Sequence, residues 1–166
     1  MDNEKIRRIA DAVVRGMNGN DPVSESSGEF GLRQARLLIS KVEQKAKEMG
    51  LNVVVAVSNA AAHPIAIECM DDSYIASYDV AINKAFTVVA LKMTTKVLST
   101  LASPGGSLYG IQHTNNGRIV IFGGGDPLIY NGKIVGGLGV SGGSEEQDTI
   151  LSAYGASVLE EVMRNA

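Results

Sequence analysis

The chain predicts an α+β fold: an antiparallel sheet of about five strands flanked by helices, with an amphipathic helix appended at the N-terminus. Three observations carry this reading. Short apolar, β-branched runs such as Val53-Val54-Val55-Ala56-Val57 and Ile119-Val120-Ile121-Phe122 are bounded by glycine, proline and asparagine, as strands are. Longer segments repeat apolar residues at helical spacing. The strands that follow the long central helix lie too close in sequence for helical crossovers, which favours antiparallel pairing.

Residues 3–17 form the first helix. Ile6, Ile9, Ala10, Val13, Val14 and Met17 make one apolar stripe, and Lys5, Arg8, Asp11 and Arg15 occupy the other faces. A helix this short needs a surface to rest on. It either folds back on its own domain or a sister subunit, or lays its stripe into a partner's groove. Residues 18–29 (NGNDPVSESSGE) read as a linker. The chain thus divides into an N-terminal segment 1–17, a linker 18–29 and a domain 30–166.

Leu32, Ala35, Ile39, Val42, Ala46 and Met49 mark one face of the first domain helix, and Gly50 supplies its C′ stop. Residues 51–57 form a strand apolar enough to be covered on both faces, and 65–70 its hairpin partner across the turn 58–64. An Ala-rich helix spans about 73–95, with Ala76, Ala81, Ala85 and Ala90 allowing close approach to the sheet. Turns at Ser103-Pro104-Gly105-Gly106 and Asn115-Asn116-Gly117 frame a short piece, Leu108 to Ile111.

Ten of the 27 residues from Gly117 to Gly143 are glycine, so this stretch is built for tight turns and close approach. Ile119 to Phe122 reads as a buried strand and Gly123-Gly124-Gly125-Asp126-Pro127 as a tight connection. Asn131-Gly132 between Leu128-Ile129-Tyr130 and Lys133-Ile134-Val135 predicts a type I′ hairpin. The second strand runs on to Val140 and stops at Ser141-Gly142-Gly143. Ser144 with Gln147 has capping-box spacing, and opens a final helix over about 145–163. The arrangement is an α+β sandwich of the profilin-like or PAS-like type.

Composition narrows the function. A formal net charge of −3 gives no general attraction for nucleic acid. No apolar run approaches the roughly 20 residues that span a bilayer. With the single Cys69 and an N-terminus interrupted by Arg7, Arg8 and Asp11, a soluble cytoplasmic protein is expected.

The histidines are His63, in the turn between the first two strands, where it either reaches a cleft or is simply exposed, and His113, in a polar loop. Imidazole is a common haem ligand. Cys69 and Met70 are soft donors better suited to packing. No His/Cys/Asp cluster has zinc spacing. Lys84 sits among Ile82, Ala85 and Val88, so it must snorkel out or meet an anion. Asp71 and Asp148 are candidate partners in an ion pair, and a ligand carboxylate is the other. Ser141-Gly142-Gly143-Ser144 leads into a helix N-terminus, where backbone N–H groups converge and an anion can dock, or where the glycines simply make a tight turn. Neither a P-loop nor a dinucleotide fingerprint is present.

Two strings, MDDSYIASYDVAINKA and GGGDPLIYNGKIVGGLGVSGGSEEQD, resemble the GlcG / HbpS / PduO C-terminal domain family. The resemblance covers about residues 31–163. It implies a profilin-like α/β domain that assembles into symmetric homo-oligomers, commonly octamers, and binds haem or serves corrinoid and diol metabolism. The adenosyltransferase activity of PduO-type proteins belongs to a separate domain. Two places depart from the family pattern. The first turn reads Ser58-Asn59-Ala60-Ala61-Ala62-His63, without the usual acidic residue and glycine, and Gly31 to Lys41 contains no histidine.

The resemblance implies a non-catalytic binding protein for a haem- or corrinoid-type tetrapyrrole or a small organic acid. The other two readings are an enzyme acting on a small metabolite and a structural cargo component. The candidate ligand-binding residues are His63, Asp71, Lys84, Gly124, Gly125, Asp126, Ser141 and Gly142, with His63 as the axial ligand of haem. The family also occurs with bacterial microcompartments, which implies a shell protein as the partner of residues 3–17.

Overall fold

The computed structural model describes Glu4 and residues 30–165. The expected helix 3–17, apart from Glu4, and the linker 18–29 lie outside the described residues.

Helix α1 (Leu32–Glu48) buries Ala35, Leu38, Ile39, Val42 and Ala46, while Leu32, at its first turn, stays exposed. It ends as the glycine predicts. Gly50 has φ +68°, its N–H donates to Lys47 O, and Leu51 N–H donates to Ala46 O. Those two bonds make a Schellman motif, which satisfies carbonyls the helix would leave bare. Strand β1 (Val54–Asn59) pairs antiparallel with β2 (Pro64–Cys69). Pro64 opens that strand, a position where a missing N–H is tolerated.

Helix α2 runs Ser77–Leu91, shorter at both ends than the sequence predicts. Residues 70–76 form turns instead, with Ser73 N–H bonded to Met70 O and Asp72 at φ +62°. Lys92 caps the far end in the left-handed region. A separate helix α3 (Thr95–Leu101) follows, and Thr94 Oγ1 accepts from Val97 N–H at its start. Two 3-10 turns, Ile111–His113 and Asn115–Gly117, lead to the second half of the sheet.

The expected strand 119–122 does not form, so the sheet has four strands rather than five. Side chains instead hold one backbone donor within this run and that of the glycine after it. Val120 N–H donates to Thr87 Oγ1 at 3.0 Å and Gly123 N–H to Glu145 Oε1 at 3.1 Å. Strand β3 instead spans Gly125–Tyr130, taking in Gly125, Asp126 and Pro127 from the expected turn. It is an edge strand, which is why Pro127 is tolerated.

The β3–β4 hairpin turns at Asn131 (φ +49°) and Gly132 (φ +74°), as a type I′ turn requires. Strand β4 (Lys133–Ser141) then pairs with both β3 and β1, giving the order β2-β1-β4-β3, antiparallel throughout. Ser144 caps helix α4 (Glu145–Ser157) in the expected capping box with Gln147. The last helix is broken at Val158, and α5 (Leu159–Asn165) completes it.

Alternation along β1 splits the core. Val53, Val55 and Val57 join Leu138 and Val140 in a large cluster under α1, α4 and α5. Val54 and Ala56 face the other way, against Ala81 and Ala85 of α2. That second interface is close-packed. A Cβ at Gly139 would strike the Ala81 carbonyl, and one at Gly137 the Ala85 carbonyl. Ala81 and Ala85 are buried there, whereas Ala76 and Ala90 are exposed and take no part.

Gly139→Ala is expected to cost about 1–3 kcal/mol or more, because helix and strand cannot separate to admit the methyl without loosening the sheet. A Cβ added at Gly132 meets no neighbouring atom, so Gly132→Val is expected to cost about 1–2 kcal/mol, chiefly through φ. Thermal unfolding reads both. An unchanged Tm in the first variant refutes the close packing, and in the second the type I′ turn.

Candidate functional site

The sequence candidates fall in four places. Lys84, Gly124, Gly125, Ser141 and Gly142 gather where α2, β4 and the start of α4 meet. Asp126 lies on the opposite face of the sheet, Asp71 in a surface cleft beside β2, and His63 at the far end of β1.

Lys84 is completely buried. Its Nζ donates to Asp148 Oδ2 at 2.8 Å and to Val140 O at 2.7 Å, and lies 4.9 Å from the centre of the Phe122 ring. Of its two candidate partners the structure selects Asp148, not Asp71. Burial pushes the Lys84 ammonium down and the Asp148 carboxyl up, and their mutual attraction opposes both shifts.

Asp148 also explains the Ser141–Ser144 turn. Its Oδ1 accepts from Gly143 N–H at 2.9 Å. The anion held where those N–H groups converge is therefore the chain's own carboxylate, one turn into α4. Gly124, at φ +108°, passes so close that a Cβ would fall 2.5 Å from Lys84 Nζ. Ser141 Oγ and Ser77 Oγ bond to each other at 3.0 Å inside the same region. Every polar group of the cluster thus has an internal partner.

Asp126 Oδ2 accepts from Ser152 Oγ at 2.6 Å, and burial raises its carboxyl above the ordinary range against that bond. Asp71 is exposed beside Asp72, Glu43 and Lys47. His63 is exposed too. It closes the turn in which Asn59 Oδ1 accepts from Ala61 N–H and His63 N–H. Among the described residues, no group of three or more His, Cys, Asp or Glu side chains is placed to hold a metal ion. No described helix is long and apolar enough to cross a membrane.

A different cleft lies beside the His63 turn, and sequence reasoning missed it. It holds about 410 Å³ between Ala60, Val89 and Ile134, with Lys92 and Lys133 at its edge. Neither lysine has an ion-pair partner among the described residues. Lys92 holds an unfavourable left-handed backbone, φ +55°. The only signal for the site was the pairing of two exposed lysines with two turns, which topology alone brings together. Phe122 was missed as well, because its run reads as a strand.

Removing one member of the buried pair leaves a bare charge, so Lys84→Met and Asp148→Asn are each expected to cost about 3–5 kcal/mol. The double variant Lys84→Met/Asp148→Asn loses less than the two single losses combined, because it leaves no unpaired buried charge, and its amide oxygen can still accept from Gly143 N–H. Denaturant unfolding of the set measures the coupling. Strict additivity would show the two groups to be energetically independent.

With this geometry in hand, known proteins give the context. A family model described as haem degrading protein HbpS-like matches residues 30–157. The chain is 40% identical over 139 residues to a 15.0 kDa protein of the dhaT-dhaS intergenic region of Citrobacter freundii, covering 84% of this chain and 98% of that one. It is 32% identical over 146 residues to the corrinoid adenosyltransferase PduO of Citrobacter freundii, covering 88% of this chain but only 43% of that longer protein. The solved PduOC:heme complex shares the fold with a TM-score of 0.74 and 33% identity, over 78% of this chain and 94% of that one. The four-stranded sheet, the match over the whole described domain up to α4 and these relatives agree: the chain belongs to the HbpS-like family.

Proposed function

We propose that this chain is a binding protein for an amphipathic carboxylate, a haem-type tetrapyrrole or a smaller organic acid, held in the cleft between the β1–β2 and β3–β4 turns. The observation that carries this is the pair Lys92 and Lys133, two cations without an ion-pair partner among the described residues, in a cleft also lined by Ala60, Val89 and Ile134. A flat apolar ligand with acidic edges matches both halves of that surface. Its carboxylates would meet the lysines, and its body would cover Val89 and Ile134. Likeness to a protein solved as a haem complex supports the class of ligand.

Haem would suit this cleft: the lysines would meet its propionates, and His63, which lies outside the lining but in the turn that supplies Ala60, would offer its imidazole to the iron. Bound haem would supply the chemistry of its iron. The chain's own residues bind and orient it, and Asn59 Oδ1 holds the His63 backbone in place.

The family resemblance extends this to a homo-oligomer, an octamer in the family pattern, accessory to corrinoid or diol metabolism inside a bacterial microcompartment. Residues 3–17 would dock their apolar stripe on a shell protein. Light scattering reads the assembly. Residues 1–20 fused to a fluorescent protein, in cells that build compartments, read the targeting. A monomer at micromolar concentration overturns the oligomer, and diffuse fluorescence overturns the docking.

Haemin titration tests the ligand. A Soret band is expected on addition, lost in His63→Ala and weakened about tenfold or more in Lys92→Glu/Lys133→Glu, where attraction becomes repulsion. A band unchanged in all variants would place the ligand elsewhere. If no band forms but a small carboxylate binds in the same lysine-dependent way, the cleft is an organic-acid site.

A further inference from the structure

We infer that a second cleft, between α3 and the start of α4, binds a small neutral polyhydroxyl molecule. This goes beyond the reading above, because it concerns other residues and an uncharged ligand.

The cleft holds about 550 Å³, within the ~300–1,000 Å³ usual for small-molecule sites. Its chemistry follows from which hydrogen-bonding capacity the fold has already used. Ser99 Oγ donates to Lys96 O and Ser103 Oγ donates to Ser99 O, each at 2.8 Å. Both hydroxyls have spent their proton and can now only accept. Gln112 also lines the cleft, and its Oε1 is the buried side-chain polar atom, among the described residues, that has no hydrogen-bond partner. A buried acceptor without a donor is costly, so turning the Gln112 amide to bring this oxygen into the cleft against a ligand's O–H is favoured. Thr100 on the same lining adds a hydroxyl that can donate or accept, so the site suits a ligand rich in O–H groups.

Charge and shape narrow the class. Lys96 Nζ and Glu145 Oε1 face each other at 3.0 Å on the cleft wall, and Gly123 N–H donates to the same oxygen. Positive and negative charge cancel locally, so neither an anion nor a cation is selected. The paired groups offer a neutral ligand one donor and one acceptor side by side, which suits adjacent hydroxyls. Tyr109, two-thirds exposed, and Ile121 add apolar surface for a ligand's C–H face. Many O–H donors, no charge and an apolar face together describe a short polyol or a monosaccharide.

The test is ligand-observed NMR on the full chain with glycerol and glucose as probes, and acetate and methylammonium as charged comparators. Saturation transfer to at least one polyhydroxyl probe is expected, with none to the ions. Gln112→Leu and Tyr109→Ala should each weaken binding about tenfold or more. Lys133→Glu, in the other cleft, should leave it unchanged, which keeps this result separate from the haemin titration. Gln112→Leu removes an unsatisfied buried acceptor, so its Tm should match or exceed the parent's, and lost binding is then not lost folding. If that variant does unfold, Tyr109→Ala decides. No transfer to either polyol, equal binding in Tyr109→Ala, or a preference for an ion overturns the inference.

Discussion

The Lys84–Asp148 pair is the constraint around which the two halves of the molecule are arranged. One side chain comes from the centre of α2, the other from the first turn of α4, and Val140 O of β4 joins them. A buried pair is a poor source of net stability, because both ions give up water. Its value here is in specificity. It fixes the height of α2 over the sheet and the point at which α4 leaves β4. It also dictates the glycine at position 124, where no side chain fits beside the ammonium.

The same economy of space governs the α2 face. Glycines on β4 and alanines on α2 bring backbone against backbone, while the opposite face is filled with Leu, Ile and Val. The sheet therefore has one thin side and one thick side. The polar pair lies on the thin side because a short helix-to-sheet distance lets a lysine reach a strand carbonyl. The two clefts proposed for ligands lie outside this packed region, at the ends of elements, where lysines and an amide oxygen without partners among the described residues remain.

Much of the fold was legible in the sequence because the signals were local. Gly50 stopped α1, Asn131-Gly132 made the hairpin, and Ser144 with Gln147 capped α4, each through bonds within a few residues. The failures had non-local causes. Ile119 to Phe122 is as β-branched as any strand here, yet its Val120 N–H is taken by Thr87 and the next residue's, Gly123 N–H, by Glu145, side chains far away in the sequence. The start of β3 was masked by Gly125 and Pro127, turn formers that an edge strand accommodates. The candidate site fared less well. Lys84 was marked by its apolar surroundings, and Asp148 was one of two partners considered. His63 and Asp71 looked alike as polar residues near strands, and nothing in their spacing revealed that they lie apart. Lys92 and Lys133, on elements far apart in sequence, were invisible as a pair.

The strand order also sets when the sheet can be completed. Ribosomal synthesis delivers β1 and β2 early, but the second neighbour of β1 is β4, the last strand of the chain. Until residue 141 has emerged, the inner edge of a strand that is apolar on both sides has no ladder to join. Such contacts between distant parts of a chain raise the contact order and slow folding. Helix α2 has by then been made and rests against Val54 and Ala56, but it cannot cover the open backbone edge. The nascent chain thus carries an unpaired, aggregation-prone edge through about half of its synthesis.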